Sequence, residues 1–239
     1  MSHLFIAHHF EADRCTLPEE EALHCLKVLR LRKGDELLIS DGKGLWAKGI
    51  LETDNLKQCT VKLLAVEKNY QTRNYQLHLA IAPTKNIDRM EWLVEKACEV
   101  GIDKISFLQC QHSERKQINT ERLRKIALQA TKQSLKAYIP TIDEMIGFTD
   151  FIQKKASSPT LDKYIAYVAA DASDKENQTK QWFQAHNLLV MIGPEGDFSP
   201  DEVRIAQSAG FACIHFGQSR LRTETAGLYA CMIPYQYHT

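Results

Sequence analysis

The spacing of apolar residues changes near residue 70, and the change divides the chain. Before it, short apolar stretches at residues 4–7, 36–40, 46–51 and 60–66 have the length and composition of β-strands. Asp41-Gly42 and Lys43-Gly44 between the second and third read as a hairpin turn. One helix-like segment, 19–31, interrupts them. Several short strands close most simply as a small β-barrel. The polar stretch 68–74 reads as a linker.

After the linker, strands alternate with helices. Residues 77–82 predict a strand. Asp88 and Glu91 predict the capping box of a helix whose stripe is Met90, Leu93, Val94 and Ala97, ending at Gly101. A strand follows at 105–108. A helix capped by Thr120 runs to about Lys136 before Pro140. Residues 165–169 and 188–192 predict strands, with a helix near 175–185 between them. Ser199-Pro-Asp-Glu202 is a second capping box, with proline at the first helical position. Gly210 closes that helix, 211–216 is the last strand, and a final helix begins near Thr223. This alternation predicts an α/β domain with a mostly parallel sheet covered on both faces.

Composition narrows the function classes. The 239 residues carry 30 basic and 30 acidic side chains. The total charge therefore announces no nucleic-acid partner, and any such surface must be local. The longest apolar runs are far too short to cross a bilayer. The start of the chain lacks the pattern of a signal peptide, so a cytoplasmic protein is expected. Seven cysteines include no Cys-x-x-Cys pair, which predicts reduced, packed thiols and no metal site.

Two loops near the end carry the candidate chemistry. Ile192-Gly-Pro-Glu-Gly-Asp197 leaves one strand, and Phe216-Gly-Gln-Ser-Arg-Leu-Arg-Thr-Glu-Thr-Ala226 leaves the next. Loops at the carboxyl ends of parallel strands are where such sheets bind ligands. Gly193 and Gly196 let backbone approach a ligand. Glu195 and Asp197 would repel a phosphate, and no Walker lysine follows, which argues against a nucleoside triphosphate and leaves room for a cationic centre. Arg220 and Arg222 stand just before a helix, where its dipole disfavours cations. Phosphate, a carboxylate and a developing anion all remain candidate partners.

Leu189 to Gly196 followed by Leu221-Arg-Thr-Glu-Thr-Ala226 resembles the signature of the RsmE family. These SPOUT-class methyltransferases act on N3 of a uridine in small-subunit (16S) ribosomal RNA. His24, Val28-Leu29-Arg30 with Gly34-Asp35, the segment 88–101, Ser113-x-Arg115, and Ala130-x-x-Gln133-Ser134 before Pro140 match further blocks. The family usually carries Glu-Gln where Lys132-Gln133 stands, arginine where Lys136 stands, and a second glycine where Asp197 stands.

The resemblance implies an N-terminal PUA-like RNA-binding barrel over residues 1–70. Residues 74–239 would then be a SPOUT domain with a C-terminal trefoil knot. It implies a homodimer that binds S-adenosylmethionine and no metal. Carried over, Ile192, Gly193, Glu195, Gly196, Phe216, Gly217, Leu221, Arg222, Thr223 and Ala226 would hold the cofactor, and Arg222 would also act in catalysis. Glu224 is expected to cap or orient more than to serve as a base. Lys27, Arg30, Arg32, Arg115, Lys116, Gln133 and Lys136 would contact 16S rRNA, free or in the assembled small subunit. A SPOUT enzyme with another target, such as a ribose 2′-hydroxyl, and a non-catalytic RNA-binding or assembly protein are the rival readings.

Overall fold

The structure, a computed structural model, describes residues 3–156, 158, 160–168 and 185–238. Its chain forms two compact units, residues 1–72 with 128–139, and residues 73–127 with 140–239.

The first unit is built on a six-stranded sheet. Its strands are β1 (Leu4–Ile6), β2 (His9–Phe10), β3 (Arg14–Thr16), β4 (Glu36–Ser40), β5 (Trp46–Leu51) and β6 (Thr60–Glu67), in the order β1-β4-β5-β6-β3-β2. Only β1 and β4 run parallel. Alternation along β4 and β5 sends Leu37, Ile39, Ala47 and Leu51 inward, where the sheet curls around a core shared with Phe5 and Val61. Asp41 Oδ1 accepts hydrogen bonds from the amides of Lys43 and Leu45, and Gly42 has a φ of 72°, which fixes the β4–β5 turn.

The expected helix at 19–31 is shorter and changes pitch. Helix α1 (Glu19–Leu23) passes into a π-helical turn, His24–Val28, and Arg30 ends it in the left-handed region at a φ of 58°. Cys25 and Leu26 in this turn both enter the core. Lys132 lies over the Phe5 ring, with Nζ 2.7 and 2.8 Å from the two carboxylate oxygens of buried Glu21. A cation therefore stands against a buried carboxylate.

The second unit is an α/β domain. Its strands are β7 (Gln76–Ile81), β8 (Lys104–Gln109), β9 (Thr141–Ile142), β10 (Ile146–Gly147), β11 (Asp162–Ala166), β12 (Asn187–Ile192) and β13 (Ala212–Ile214). They run in the order β10-β8-β7-β12-β11-β13, with β9 also beside β8, and every pairing is parallel. The helices are α2 (Ile87–Val100), α3 (Thr120–Gln133), whose residues from 128 on belong to the first unit, α4 (Phe148–Ala156), α5 (Pro200–Ser208) and α6 (Thr223–His238). Phe148, Phe151, Ile152, Val203 and Ala206 of α4 and α5 pack with Ala80, Leu189 and Met191 of the sheet. Helix α6 packs on β7, β12 and α2. Its buried positions Glu224, Gly227, Cys231 and Pro234 recur at helical spacing. At Gly227 a Cβ would lie 2.9 Å from Ile81 Cδ1 and 3.1 Å from Leu93 Cδ2, so glycine permits this close approach.

Two caps differ from expectation. Asn86, not Asp88, caps α2, accepting from the Asp88 amide, and Glu91 pairs with Arg122. Asn119 Oδ1 accepts from the Arg122 amide at the start of α3, while Thr120 donates to Glu144. In both, asparagine just ahead of the expected residue offers the better-placed carbonyl oxygen. Helix α3 stops at Gln133, and Leu135 takes a φ of 54°. The helix expected at 175–185 lies outside the described residues, apart from Ala185, which is coil.

A polar chain, buried at His78 and Ser106, crosses the start of this sheet. His78 Nε2 lies 2.8 Å from Ser106 Oγ, which donates to Asp143 Oδ2 at 2.6 Å, and Lys104 completes the pair with Asp143. Burial, with Lys155 and Lys104 nearby, pushes the His78 pKa down to about 3. The depressed value means that unfolded chains bind the extra proton first. Stability from this group is complete above about pH 6.5 and is lost as the pH falls toward 3. One proton sets a slope of at most about 1.4 kcal/mol per pH unit. Urea titrations of wild type and His78→Gln between pH 7 and 4 should show a shallower acid loss in the variant. Parallel curves would contradict this.

Candidate functional site

The carboxyl ends of β11, β12 and β13 open onto one cavity of about 840 Å³. Its walls include Ala166 to Val168 after β11, Ile192 to Asp197 after β12, His215 to Arg222 after β13, and Thr223 and Ala226 of α6. Every residue expected to hold a cofactor lines it: Ile192, Gly193, Glu195, Gly196, Phe216, Gly217, Leu221, Arg222, Thr223 and Ala226. Arg89, Tyr167, His215 and Gln218 also line it and were absent from that expectation.

The β12 loop is held from several sides. Glu195 Oε1 accepts from the Lys85 amide at 2.9 Å. Asp197 sits in the left-handed region at a φ of 60°. This conformation favours glycine. Here the carboxylate offsets the strain locally, accepting from the Phe198 amide at 2.8 Å and the Val168 amide at 3.2 Å. The second bond ties the β11 loop to the β12 loop. His112 Nδ1 meets the Asp197 carbonyl oxygen at 3.0 Å. The two acids thus organise backbone around the cavity. Beyond the loop, Ser199 and Glu202 form the expected capping box of α5, and Glu202 also accepts from the Gln111 amide.

Glycine is needed at Gly193 for space. A Cβ there would lie 3.0 Å from the Phe198 amide nitrogen and 3.2 Å from the Asp197 carbonyl carbon, both backbone atoms. Gly193→Ala must displace the loop. We expect an overpacking cost of about 1–3 kcal/mol, seen as a loss of cofactor affinity of about 5- to 150-fold by calorimetry. Wild-type affinity would show that the loop yields freely.

The β13 loop supplies the cations. Gly217 has a φ of 96°, and its amide donates to His215 Nδ1 at 2.9 Å. Among the described residues, Arg220 and Arg222 have no carboxylate partner. With Glu195 and Asp197 bonded to backbone amides, the cavity is lined by three arginines, Arg89, Arg220 and Arg222, and by apolar Ile192, Phe216, Leu221 and Ala226. A small organic ligand with an apolar body and anionic groups fits this lining.

The expected RNA-contacting residues occupy both units. Lys27, Arg30, Arg32 and Gln133 are exposed in the first, with Lys136 half-buried there. In the second, Lys116 is exposed. Arg115 donates to the carbonyls of Thr84 and Lys85 at 3.0 and 2.6 Å, clamping the loop that leads into α2. Neighbouring Arg122 and Arg124 are engaged by Glu91, Glu121 and Glu144. No group of metal-ligating side chains occurs among the described residues, and no described helix is long and apolar enough to cross a membrane.

The family model for an RNA methyltransferase domain matches residues 71–234. The chain belongs to the RNA methyltransferase family. A model for the PUA domain of RNA methyltransferases matches residues 17–64. The chain is 28% identical over 235 residues to ribosomal RNA small subunit methyltransferase E of Bacillus subtilis, covering 92% of this chain and 89% of that protein. It is 41% identical to a probable rRNA-methyltransferase from Porphyromonas gingivalis of known structure, with a TM-score of 0.86, covering 99% and 98% of the two chains. A ribosomal RNA small subunit methyltransferase E from Neisseria gonorrhoeae, solved bound to S-adenosyl methionine, shares the fold at a TM-score of 0.83 and 23% identity over 97% and 96% of the chains. The parallel sheet of the methyltransferase domain is thus a SPOUT fold, preceded by a PUA-type curled sheet.

Proposed function

We propose that this protein transfers a methyl group from S-adenosylmethionine to N3 of a uridine in small-subunit (16S) ribosomal RNA. The observation that carries the reading is the single cavity in which the two signature loops meet, with Arg222 at its wall. Loop backbone around Ile192, Gly193, Glu195, Gly196, Phe216, Gly217 and Leu221 to Thr223, with Ala226, would hold the cofactor. Bound there, S-adenosylmethionine supplies an electrophilic methyl group, which leaves sulfur as N3 takes it and the N3 proton passes to solvent. Removing that proton spreads negative charge onto O2 and O4 of uracil, and Arg222 would stabilise it. Holding the base in line would supply much of the remaining acceleration.

RNA recognition would use Lys27, Arg30, Arg32, Gln133 and Lys136 of the first unit, and Arg115 and Lys116 of the second. The target base must stand outside a stack to enter the cavity. Helices α2 and α6 leave large apolar side chains exposed, Trp92 at 43%, Tyr229 at 42% and Met232 at 49%. We assign this surface to a second copy of the chain, making the enzyme a homodimer. The C-terminal segment through α6 would complete a trefoil knot, and the enzyme would act in the cytoplasm.

Calorimetry with S-adenosylmethionine and with its demethylated product tests the enzyme reading against a non-catalytic RNA-binding protein. Binding of either supports it. Absence of both would defeat every methyltransferase reading of the cavity.

A further inference from the structure

Arg89 stands in the first turn of α2, three residues after its cap Asn86. The helix dipole disfavours a cation there. Its side chain nevertheless lines the cavity and is 36% exposed. Across from it, Glu224 in the first turn of α6 is 7% exposed, with Oε1 3.6 Å from Arg89 Nε. Its other oxygen, Oε2, is buried without a hydrogen-bond partner among the described residues. A buried carboxylate is costly unless paired, and Arg89 is the cation that pairs with it. Glu224 engages Arg89 through the Nε side, while the arginine reaches the cavity.

From this geometry we infer that Arg89 is a second catalytic arginine, which takes the negative charge that develops on uracil, and that Glu224 is the positioning residue that holds it. The inference rests on the proposed uridine methylation. Arg222 comes from the β13 loop and Arg89 from α2, so two arginines line the cavity from different elements. Adenosine would be held by the glycine-rich backbone, whereas an arginine side chain 36% exposed is placed to meet what enters from solvent. The entering group is the RNA base. A cation beside the uracilate favours its charged form, lowering the N3 pKa in the complex by about 1–3 units. Glu224 then needs no proton-transfer role. Its charge offsets that of Arg89 in the free enzyme and fixes the direction of the guanidinium.

The test is the pH dependence of single-turnover methylation of small ribosomal subunits lacking the mark, for wild type, Arg89→Lys, Arg89→Met and Glu224→Gln. Affinities for S-adenosylmethionine and for the subunit are measured alongside. Arg89→Met is expected to lose about 10²-fold in rate near neutral pH, with the rising limb displaced about 1–3 units to higher pH. Arg89→Lys, which keeps the buried charge paired, and Glu224→Gln should shift the limb the same way by less. Affinity for cofactor should stay within about threefold, well below the tenfold that corresponds to 1.4 kcal/mol. Thermal melting of Arg89→Lys controls for folding. An unmoved limb with weakened subunit binding would make Arg89 a phosphate contact. An unmoved limb with weakened cofactor binding would make it a cofactor anchor. Either result overturns the inference. Failure of the wild type to make 3-methyluridine would instead defeat the underlying reading.

Discussion

Arg222→Ala should lower the methyl-transfer rate by about 10²–10³-fold while leaving S-adenosylmethionine affinity nearly unchanged. That magnitude is typical of removing one preorganised donor from a developing anion. Arg222 lies on the cavity wall at the start of α6, and its own carbonyl accepts the Ala226 amide of the first helical turn. The backbone that lines the cavity is therefore anchored independently of the guanidinium, and alanine at 222 should leave it in place. Rapid-quench rates and calorimetric affinities separate the two roles. Equal losses in both would assign Arg222 to cofactor binding.

Lys132→Glu should destabilise the first unit by about 3–5 kcal/mol, the range for stranding a buried charge. Glu21 and Lys132 side chains are only 10% and 19% exposed, and the ammonium touches both carboxylate oxygens. Glutamate at 132 would put two carboxylates together. Glu21→Gln with Lys132→Glu should recover part of the loss. Denaturant titration reads both. An unchanged midpoint for Lys132→Glu would show that the pair contributes nothing.

Much of the fold was legible because its signals are periodic. Strands β4 and β5 occupy 36–40 and 46–51 as their apolar runs predict, and the Ser199–Glu202 box starts α5 as expected. Strands β2, β9 and β10 have two residues each, too few for any period to show. Helix α4 did carry a signal, since Phe148, Phe151 and Ile152 stand at helical spacing and are all buried. The pitch change at His24 depends on core packing and left no mark in the local sequence.

The site shows the same division. Glycines and arginines in two loops located the cavity, because loop geometry is written in neighbouring residues. The reading of Glu195 and Asp197 as neighbours tolerated by a cationic ligand was incomplete. Their carboxylates accept backbone amides at Lys85, Phe198 and Val168, partners that are distant in sequence or invisible to it. Arg89 was missed although its sign was available: like Arg222, it is a cation at a helix start, where the dipole gives no reason for one. The pairing with Glu224 spans the distance from α2 to α6 and exists only in the folded chain.

The central claim, methylation of uridine N3, is tested most directly by nucleoside mass spectrometry of small-subunit rRNA from a strain lacking the gene, before and after treatment with the purified protein and S-adenosylmethionine. The account predicts that 3-methyluridine is missing before treatment and restored after it by the wild type. Unchanged 3-methyluridine in the deletion strain, or a methyl group restored to a ribose 2′-oxygen instead, would contradict it.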